Sequence, residues 1–407
     1  MTQQRTQLPT LVQQPDELTQ ILPRLLDSPQ IAIDTESDSL YSYHPRVCLI
    51  QITIPAPGAA ASAATASRDT DDLADMDLDV VDFLIDPLGV PDLRPLQPVV
   101  ADPAREIIMH AAENDILLLQ RDFDFTFGQM FDTQLAARIL GWPRAALAAI
   151  LEERFGVKSD KRMQRTDWGR RPLSADQIAY AQMDTHYLLA LVAQQKAELR
   201  AADRWEEAQE AFGFLTQLDF FAREESTRTV WQMKESRAVP REATNVLQAL
   251  WTWRETEAAR RNIPPFKIFT NQVLVDLAQE QPSRVHALRD VKGISEGHLK
   301  RYGENLVEAI RQGQRAPLPD LPESTRPDQI PDKDIQARFD ALRKWRTATA
   351  EARGVAPDIV FNNEALMEMA KRQPQSEAAL QEISNIGPWK ARTYGPAIFE
   401  VLRTTVG

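Results

Sequence analysis

Shifted against itself by 92 positions, the C-terminal part of this chain lines up with itself without a gap. Ala249, Leu250, Trp253, Arg254, Arg261, Pro265, Phe269, Asn271 and Leu274 meet identical residues at Ala341, Leu342, Trp345, Arg346, Arg353, Pro357, Phe361, Asn363 and Leu366. The register continues through Pro282/Pro374, Leu288/Leu380, Ile294/Ile386 and Tyr302-Gly303/Tyr394-Gly395, and from Leu247/Phe339 to Arg311/Arg403, 20 of 65 pairs are identical where chance supplies a few. A chain built this way must fold one helical module of about 75 residues twice, so a single core is excluded. Between the copies, QRAPLPDLPESTRPDQIPD carries five prolines, which predicts a stiff, extended connection over 317–332. The copies are placed at 236–316 and 333–407, and a chain ending near Ala316 is expected to keep the rest folded.

The remaining N-terminal part, 1–212, has another rhythm. PTLV, a helix DELTQILPRLL, and the strands IAIDTE and VCLIQITI are followed by VDFLID, a helix near LRPLQPVV and a strand EIIMHA. Helices then take over in NDILLLQRDF, FDTQLAARIL, AALAAILEERF and a long one from Ser174 to about Arg200. Consecutive strands followed by strands interleaved with helices predict a mixed sheet flanked by helices, an α/β domain ahead of two all-α ones. Residues 55–80, rich in Ala, Ser and Asp, read as a low-complexity insert between two strands.

Charge decides less than its total suggests. The net charge is -12, but residues 68–82 alone hold seven Asp against one Arg. Residues 240–316 carry twelve Lys/Arg against nine Asp/Glu and residues 333–407 eleven against nine, so both modules are mildly basic and nucleic acid stays open as a partner. One cysteine, Cys48, rules out an intramolecular disulfide and suits a buried position in a reducing compartment. MTQQRTQLPT has no apolar segment of signal-peptide type and no run reaches membrane-span length, so a cytoplasmic protein without a membrane partner is expected.

The chemistry is concentrated in acids. In IAIDTESDSL, Asp34 and Glu36 are two apart on a strand and share a face, where two like charges raise each other's pKa unless a cation lies between them. Ser174 and Gln177 form a capping box that starts a helix, within which Tyr180 and Asp184 stand one turn apart on one face. Asp115 opens a helix just after the strand EIIMHA. Four carboxylates and a tyrosine brought together would bind two hard divalent cations through oxygen.

In order and spacing, DTE at 34–36, Asp115 in NDILLL and YAQMD at 180–184 resemble the three motifs of the DEDD exonucleases. FDTQLAARIL and RTDWGRRPLSADQIAYAQMD resemble, more narrowly, the ribonuclease D group, and the duplicated module resembles the HRDC domain. With Ala179 and Tyr180, the chain looks like the tyrosine branch (DEDDy). The resemblance implies an RNase H-like 3'-5' exonuclease fold, with Asp34, Glu36 and Asp184 on one metal, Asp34 bridging to a second, and Asp115 on that second metal. Magnesium or manganese is the implied pair of ions. Tyr180 would orient the attacking water by hydrogen bonding, since a tyrosine is protonated at neutral pH and is a poor base.

Other positions carry weaker expectations. Asp132 is read as the N-cap of TQLAARIL. His110 stands between a structural histidine and a substrate contact. The run KSDKRMQRTDWGRR at 158–171, with Arg165, Arg170 and Arg171, is read as a phosphate-contacting rim, and Trp168 as packing. Within the modules Trp253 and Trp345 are expected in the core, and Arg254, Arg261, Lys300 and Arg301 on RNA backbone. Histidine and cysteine spacing offers no zinc site, and without a GxxxxGK[ST] loop the modules are not attached to an ATPase. The resulting expectation is a monomeric, metal-dependent 3'-to-5' exoribonuclease that releases 5'-mononucleotides and trims structured RNA such as tRNA precursors. A DNA exonuclease or a non-catalytic nucleic-acid scaffold are the alternatives.

Overall fold

The computed structural model describes residues 7–58, 78–158, 162–220, 230–320 and 332–405. Most of the acidic insert and most of the proline-rich connection therefore lie outside the described residues. The chain gathers into two compact units: Met1–Ser37, Val47–Phe221 and Pro331–Gly407 form one, Asp38–Arg46 and Ala222–Ile330 the other.

The first unit is built on a six-stranded mixed sheet. Its strands are β1 (Thr10–Val12), β2 (Gln30–Ser37), β3 (Val47–Pro55), β4 (Val80–Ile85), β5 (Glu106–Met109) and β6 (Gln129–Asp132), in the order β1-β4-β3-β2-β5-β6. β3 is antiparallel to both neighbours, while β1–β4, β2–β5 and β5–β6 are parallel. The first eight residues of β3 are all buried, which explains why VCLIQITI shows no alternation: a strand covered on both faces needs none. β6 escapes the sequence reading because four residues are too few to show a period; the expected helix FDTQLAARIL spends Phe131 and Asp132 in that strand and begins only at Thr133.

Around the sheet lie α1 (Pro15–Asp27), α2 (Gln97–Val100), α3 (Glu113–Phe123), α4 (Thr133–Leu140), α5 (Leu147–Phe155), α6 (Ala175–His186), α7 (Leu188–Ala201) and α8 (Trp205–Leu215). The single long helix expected from Ser174 is two helices. Tyr187, still right-handed at φ -94°, ψ -7°, is the turn between them; α6 lies across β2, β3 and β4 while α7 packs on α4, β2 and β5. One straight helix could not cover both parts of a twisted sheet.

The repeat is structural as well. The first module contains α9 (Thr244–Arg261), α10 (Asn271–Glu280) and α11 (Glu296–Arg315); the second contains α12 (Lys333–Arg353), α13 (Pro357–Val360), α14 (Asn363–Arg372), α15 (Glu377–Gln381) and α16 (Pro388–Thr404). Left-handed backbone recurs at the same repeat positions: Asn262/Gly354, Gln281/Gln373 and Gly293/Asn385. At the first two pairs it ends a helix, leaving the chain free to turn. Arg254 and Arg346 also match, each donating to a carbonyl (Phe269, Phe361) and to an asparagine side chain (Asn271, Asn363). Trp253 and Trp345 are half-buried against Tyr302 and Tyr394 rather than fully enclosed.

The second module packs on the sheet-bearing part of its own unit through α8. Glu206 pairs with Arg392, Glu210 accepts from the backbone N–H groups of Trp389 and Lys390, and Arg204 donates to the Arg353 carbonyl. Among the described residues no helix is long and apolar enough to cross a membrane.

Candidate active site

β2 outruns its parallel neighbour. Pairing with β5 ends at Ala32/Ile108, whereas pairing with β3 continues through Asp34/Gln51 and Glu36/Leu49. Asp34 and Glu36 therefore project where β5 has already turned away into α3, which brings Asp115 to the same end of the sheet. Asp132 holds that turn: its carboxylate accepts from Ala111 and Ala112 N–H at 3.1 and 2.8 Å. It also accepts from Gln134 and Leu135 N–H at 2.8 and 2.9 Å, the N-cap role expected for it.

α6 is fixed over the site from its far side. The capping box of Ser174 and Gln177 starts the helix, as the spacing predicts. Further along, Gln182 donates to Asp82 on β4 at 2.6 Å, His186 Nδ1 meets the same carboxylate oxygen at 2.7 Å, and the hydroxyls of Thr185 and Thr53 are 2.8 Å apart. With those residues tied to the sheet, Tyr180 and Asp184 line a cleft of about 700 Å³ with Asp34, Glu36 and His110.

The electrostatics are those of an uncompensated anionic cluster. Burial and then the charges of Asp115, Asp184 and Glu36 push Asp34 well above the usual carboxylate range. Burial, then Asp184 and Asp115, lift Glu36 to about 9. Asp184 rises to about 7 and Asp115 to about 6, burial being the largest cause for each. The Tyr180 hydroxyl is driven far up, first by burial and then by Asp184; it donates to Asp184 and accepts from Gln164. Thr35 donates to Asp115, the hydrogen bond that partly offsets the latter's rise.

Among the described residues, no three His, Cys, Asp or Glu side chains stand ready-made around a point that could hold a metal ion. The fit to a metal rests instead on the donor set: four half-buried carboxylates whose pKa values burial raises, Asp34, Glu36 and Asp184 being raised further by other acids of the set. Hard oxygen ligands of that kind suit Mg²⁺ or Mn²⁺.

Other expected contacts divide. His110 does line the cleft; its Nδ1 lies 2.8 Å from the Thr133 hydroxyl, Nε2 has no partner among the described residues, and burial lowers its pKa to about 4, so it is neutral at neutral pH. Arg165 and Arg170 are exposed, and Lys158 of the same basic run lines the cleft. Arg171 is a correction: its guanidinium grips Asp86 at 2.7 Å and the Cys48 carbonyl at 2.6 Å, joining α6's approach to the sheet rather than reaching for phosphate. Arg254 is another, being 4% exposed and committed to the module's own backbone. Arg261, Lys300 and Arg301 stay at least partly exposed. Trp168 is packing, 1% exposed, with its ring 6.2 Å from that of Tyr180. Sequence reading passed over Thr35 and Gln164. Strict strand alternation assigns Thr35 to the face opposite the acids, and Gln164 comes from a single 3-10 turn, Met163–Arg165, too short to show a period.

Residues 9–200 match the 3'-5' exonuclease family, and residues 243–310 and 335–402 each match the HRDC domain. Similar proteins include ribonuclease D of Granulibacter bethesdensis, 28% identical over 374 residues, covering 91% of this chain and 88% of that one. Ribonuclease D of Escherichia coli K12 is 26% identical over 399 residues, covering 95% and 96%. The crystal structure of E. coli RNase D, described as an exoribonuclease involved in structured RNA processing, superposes with a TM-score of 0.66 at 22% identity, covering 97% and 99% of the two chains. The catalytic core of RRP6 from Trypanosoma brucei gives a TM-score of 0.61 at 22% identity over 77% and 81%. At those identities the structural likeness concerns the fold.

Proposed function

From the premise that this chain belongs to the ribonuclease D family, a 3'-5' exonuclease domain followed by two HRDC domains, we propose that it is a metal-dependent exoribonuclease trimming structured RNA such as tRNA precursors. The observation that carries this reading is the cluster of Asp34, Glu36 and Asp184 with Tyr180 in one cleft, Asp115 lying close enough to raise the pKa of all three acids. Hydrolysis breaks the terminal P–O3' bond and joins a water oxygen to phosphorus, releasing a 5'-mononucleotide and leaving a new 3'-hydroxyl.

Asp34, Glu36 and Asp184 would hold one divalent ion, and Asp34 with Asp115 a second. When bound, such ions lower the pKa of a coordinated water and offset charge building on the phosphate and the leaving oxygen. The chain's own residues set the geometry around them. Asp132 and Thr35 orient Asp115 at the head of α3. Asp82, by gripping Gln182 and His186, fixes the rotation of α6 and with it Asp184 and Tyr180. Because its proton is held so firmly, Tyr180 serves as a hydrogen-bonding partner that positions water, not as a base. Mildly basic modules would hold the body of a folded RNA while its 3' end enters the cleft, and the protein would act as a cytoplasmic monomer.

Matched 5'-labelled and 3'-labelled RNA and DNA oligonucleotides, followed in time with Mg²⁺, with Mn²⁺ and with chelator, test the reading. Stepwise shortening of 5'-labelled RNA from its 3' end, abolished by chelator, is the expected result. Endonucleolytic fragments, chelator resistance, or cleavage of DNA alone would overturn it.

A further inference from the structure

The duplication provides an internal comparison between two equivalent pockets. In the second module Arg353, at the end of α12, donates to the hydroxyl of Tyr394, and Trp345 meets that tyrosine edge-on with ring centroids 5.8 Å apart. The same guanidinium grips both carboxylate oxygens of Glu207, one at 3.0 Å. Glu207 is 1% exposed. The arginine–tyrosine corner of the repeated module is thus a receptacle for an oxyanion, and in this copy the chain fills it with its own carboxylate.

In the first module the corner is built the same way. Arg261 donates to the hydroxyl of Tyr302, and Trp253 meets Tyr302 edge-on with centroids 5.5 Å apart. Here, however, the corner opens into a pocket of about 570 Å³ lined by residues of the module itself. Three positions on its wall differ in charge between the copies: Glu257, Arg260 and Arg301 stand where the second module has Thr349, Ala352 and Thr393. Glu257 pairs with Arg260 at 2.7 Å, and that hydrogen bond, together with the charges of Arg260, Arg261 and Arg301, lowers its pKa. Three guanidiniums against one carboxylate leave the pocket cationic.

We propose that the Arg261–Tyr302 pocket of the first module binds a backbone phosphate of the RNA substrate, as the equivalent corner of the second module binds Glu207. This rests on the reading of the chain as an RNA-degrading enzyme and assigns that reading a second contact point, in the first module. A carboxylate needs only the one arginine that Arg353 supplies. The two added arginines suit a phosphodiester, whose several oxygens accept from more than one guanidinium fork. Trp253, half-buried at the pocket wall, adds an aromatic surface beside the phosphate site.

The double variant R260A/R301T tests this by giving the first module the second module's own residues at the two arginine positions. Both side chains are exposed, so the fold should keep its thermal midpoint. Binding of a fluorescent single-stranded RNA to the full-length protein is measured by anisotropy in chelator, where no turnover occurs, across a salt series. The expected result is about a 10-fold weaker Kd at low salt and a salt slope shallower by up to roughly 0.7, the value for one phosphate on a single strand. R261Q should weaken binding at least as much. Unchanged affinity and slope in R260A/R301T would overturn the proposal. So would loss of binding to a labelled polyglutamate peptide with RNA binding intact, since that would make the pocket a protein-docking site. Metal-dependent trimming of the same RNA, measured in parallel, should show a raised KM with kcat unchanged, since the four acids are untouched. Failure of all trimming in the parent protein would instead sink the exonuclease reading, with the anisotropy result still interpretable.

Discussion

Glu207 of α8 and Arg353 of α12 form an ion pair in which the carboxylate side chain is 1% exposed and the guanidinium side chain 19%. The pair ties the second module to the nuclease domain, and Ile359 of the same module sits in that domain's apolar cluster. Removing one partner of a buried pair leaves the other charge uncompensated, so Arg353→Ala should cost about 3–5 kcal/mol, read by urea denaturation. Glu207→Gln, which keeps hydrogen-bonding capacity, should cost less. Ending the chain after Ala316 should lower the thermal midpoint of the nuclease domain, contrary to what the proline-rich connection suggests. A midpoint unchanged by truncation would mean that the module contributes nothing to the domain it touches.

Asp34 is the acid whose pKa is raised by all three of the others. Asp34→Asn keeps its size while removing the charge at the centre of the cluster. Losing metal-assisted chemistry should cost at least ~4 kcal/mol in the barrier, or about three orders of magnitude in kcat. The thermal midpoint should not fall, because the change also removes repulsion. Near-normal turnover would remove this cluster from consideration as the catalytic centre.

Tyr180→Phe preserves the ring against Trp168 and deletes only the hydroxyl shared with Asp184 and Gln164. If that hydroxyl positions water, kcat should fall roughly 10- to 1,000-fold while KM stays close to the parent value. A raised KM at unchanged kcat would assign Tyr180 to substrate stacking.

Much of this site is legible in sequence because its acids lie on regular elements. Two residues apart on β2 and four apart on α6 are spacings that fix a shared face whatever the rest of the fold does. The module repeat is legible for a similar reason, since identical residues recur where an arginine must satisfy a buried carbonyl (Arg254/Arg346) and at one of the left-handed turns (Gln281/Gln373). What stays hidden depends on contacts distant in sequence. Arg254 and Arg171 look like free cations in a linear reading and prove to be clamps on carbonyls and a carboxylate brought together only by folding. Equally hidden is the division at Tyr187, because the residues on both sides of it favour helix.

The acidic cluster makes stability depend on pH in a direction that a metal should reverse. In the unfolded chain these carboxylates titrate near 4, whereas in the metal-free fold Asp115 is raised to about 6, Asp184 to about 7 and Glu36 to about 9. Between those limits the folded state binds more protons than the unfolded one, so stability falls as pH rises. The thermal midpoint in chelator should therefore decline from pH 5 to pH 9. Divalent ions bind the ionised carboxylates of the folded state alone, adding about 2.7 kcal/mol at a hundredfold excess over Kd. Proton competition weakens that binding at low pH, so the midpoint shift produced by Mn²⁺ or Mg²⁺ should be larger at pH 8 than at pH 6. Glu36→Gln should raise and flatten the metal-free profile while reducing the metal-induced shift. A profile in chelator that is flat between pH 5 and pH 9, with no response to either ion, would show that the four carboxylates are not raised by burial and neighbouring charge. The case for them as metal ligands would then fail.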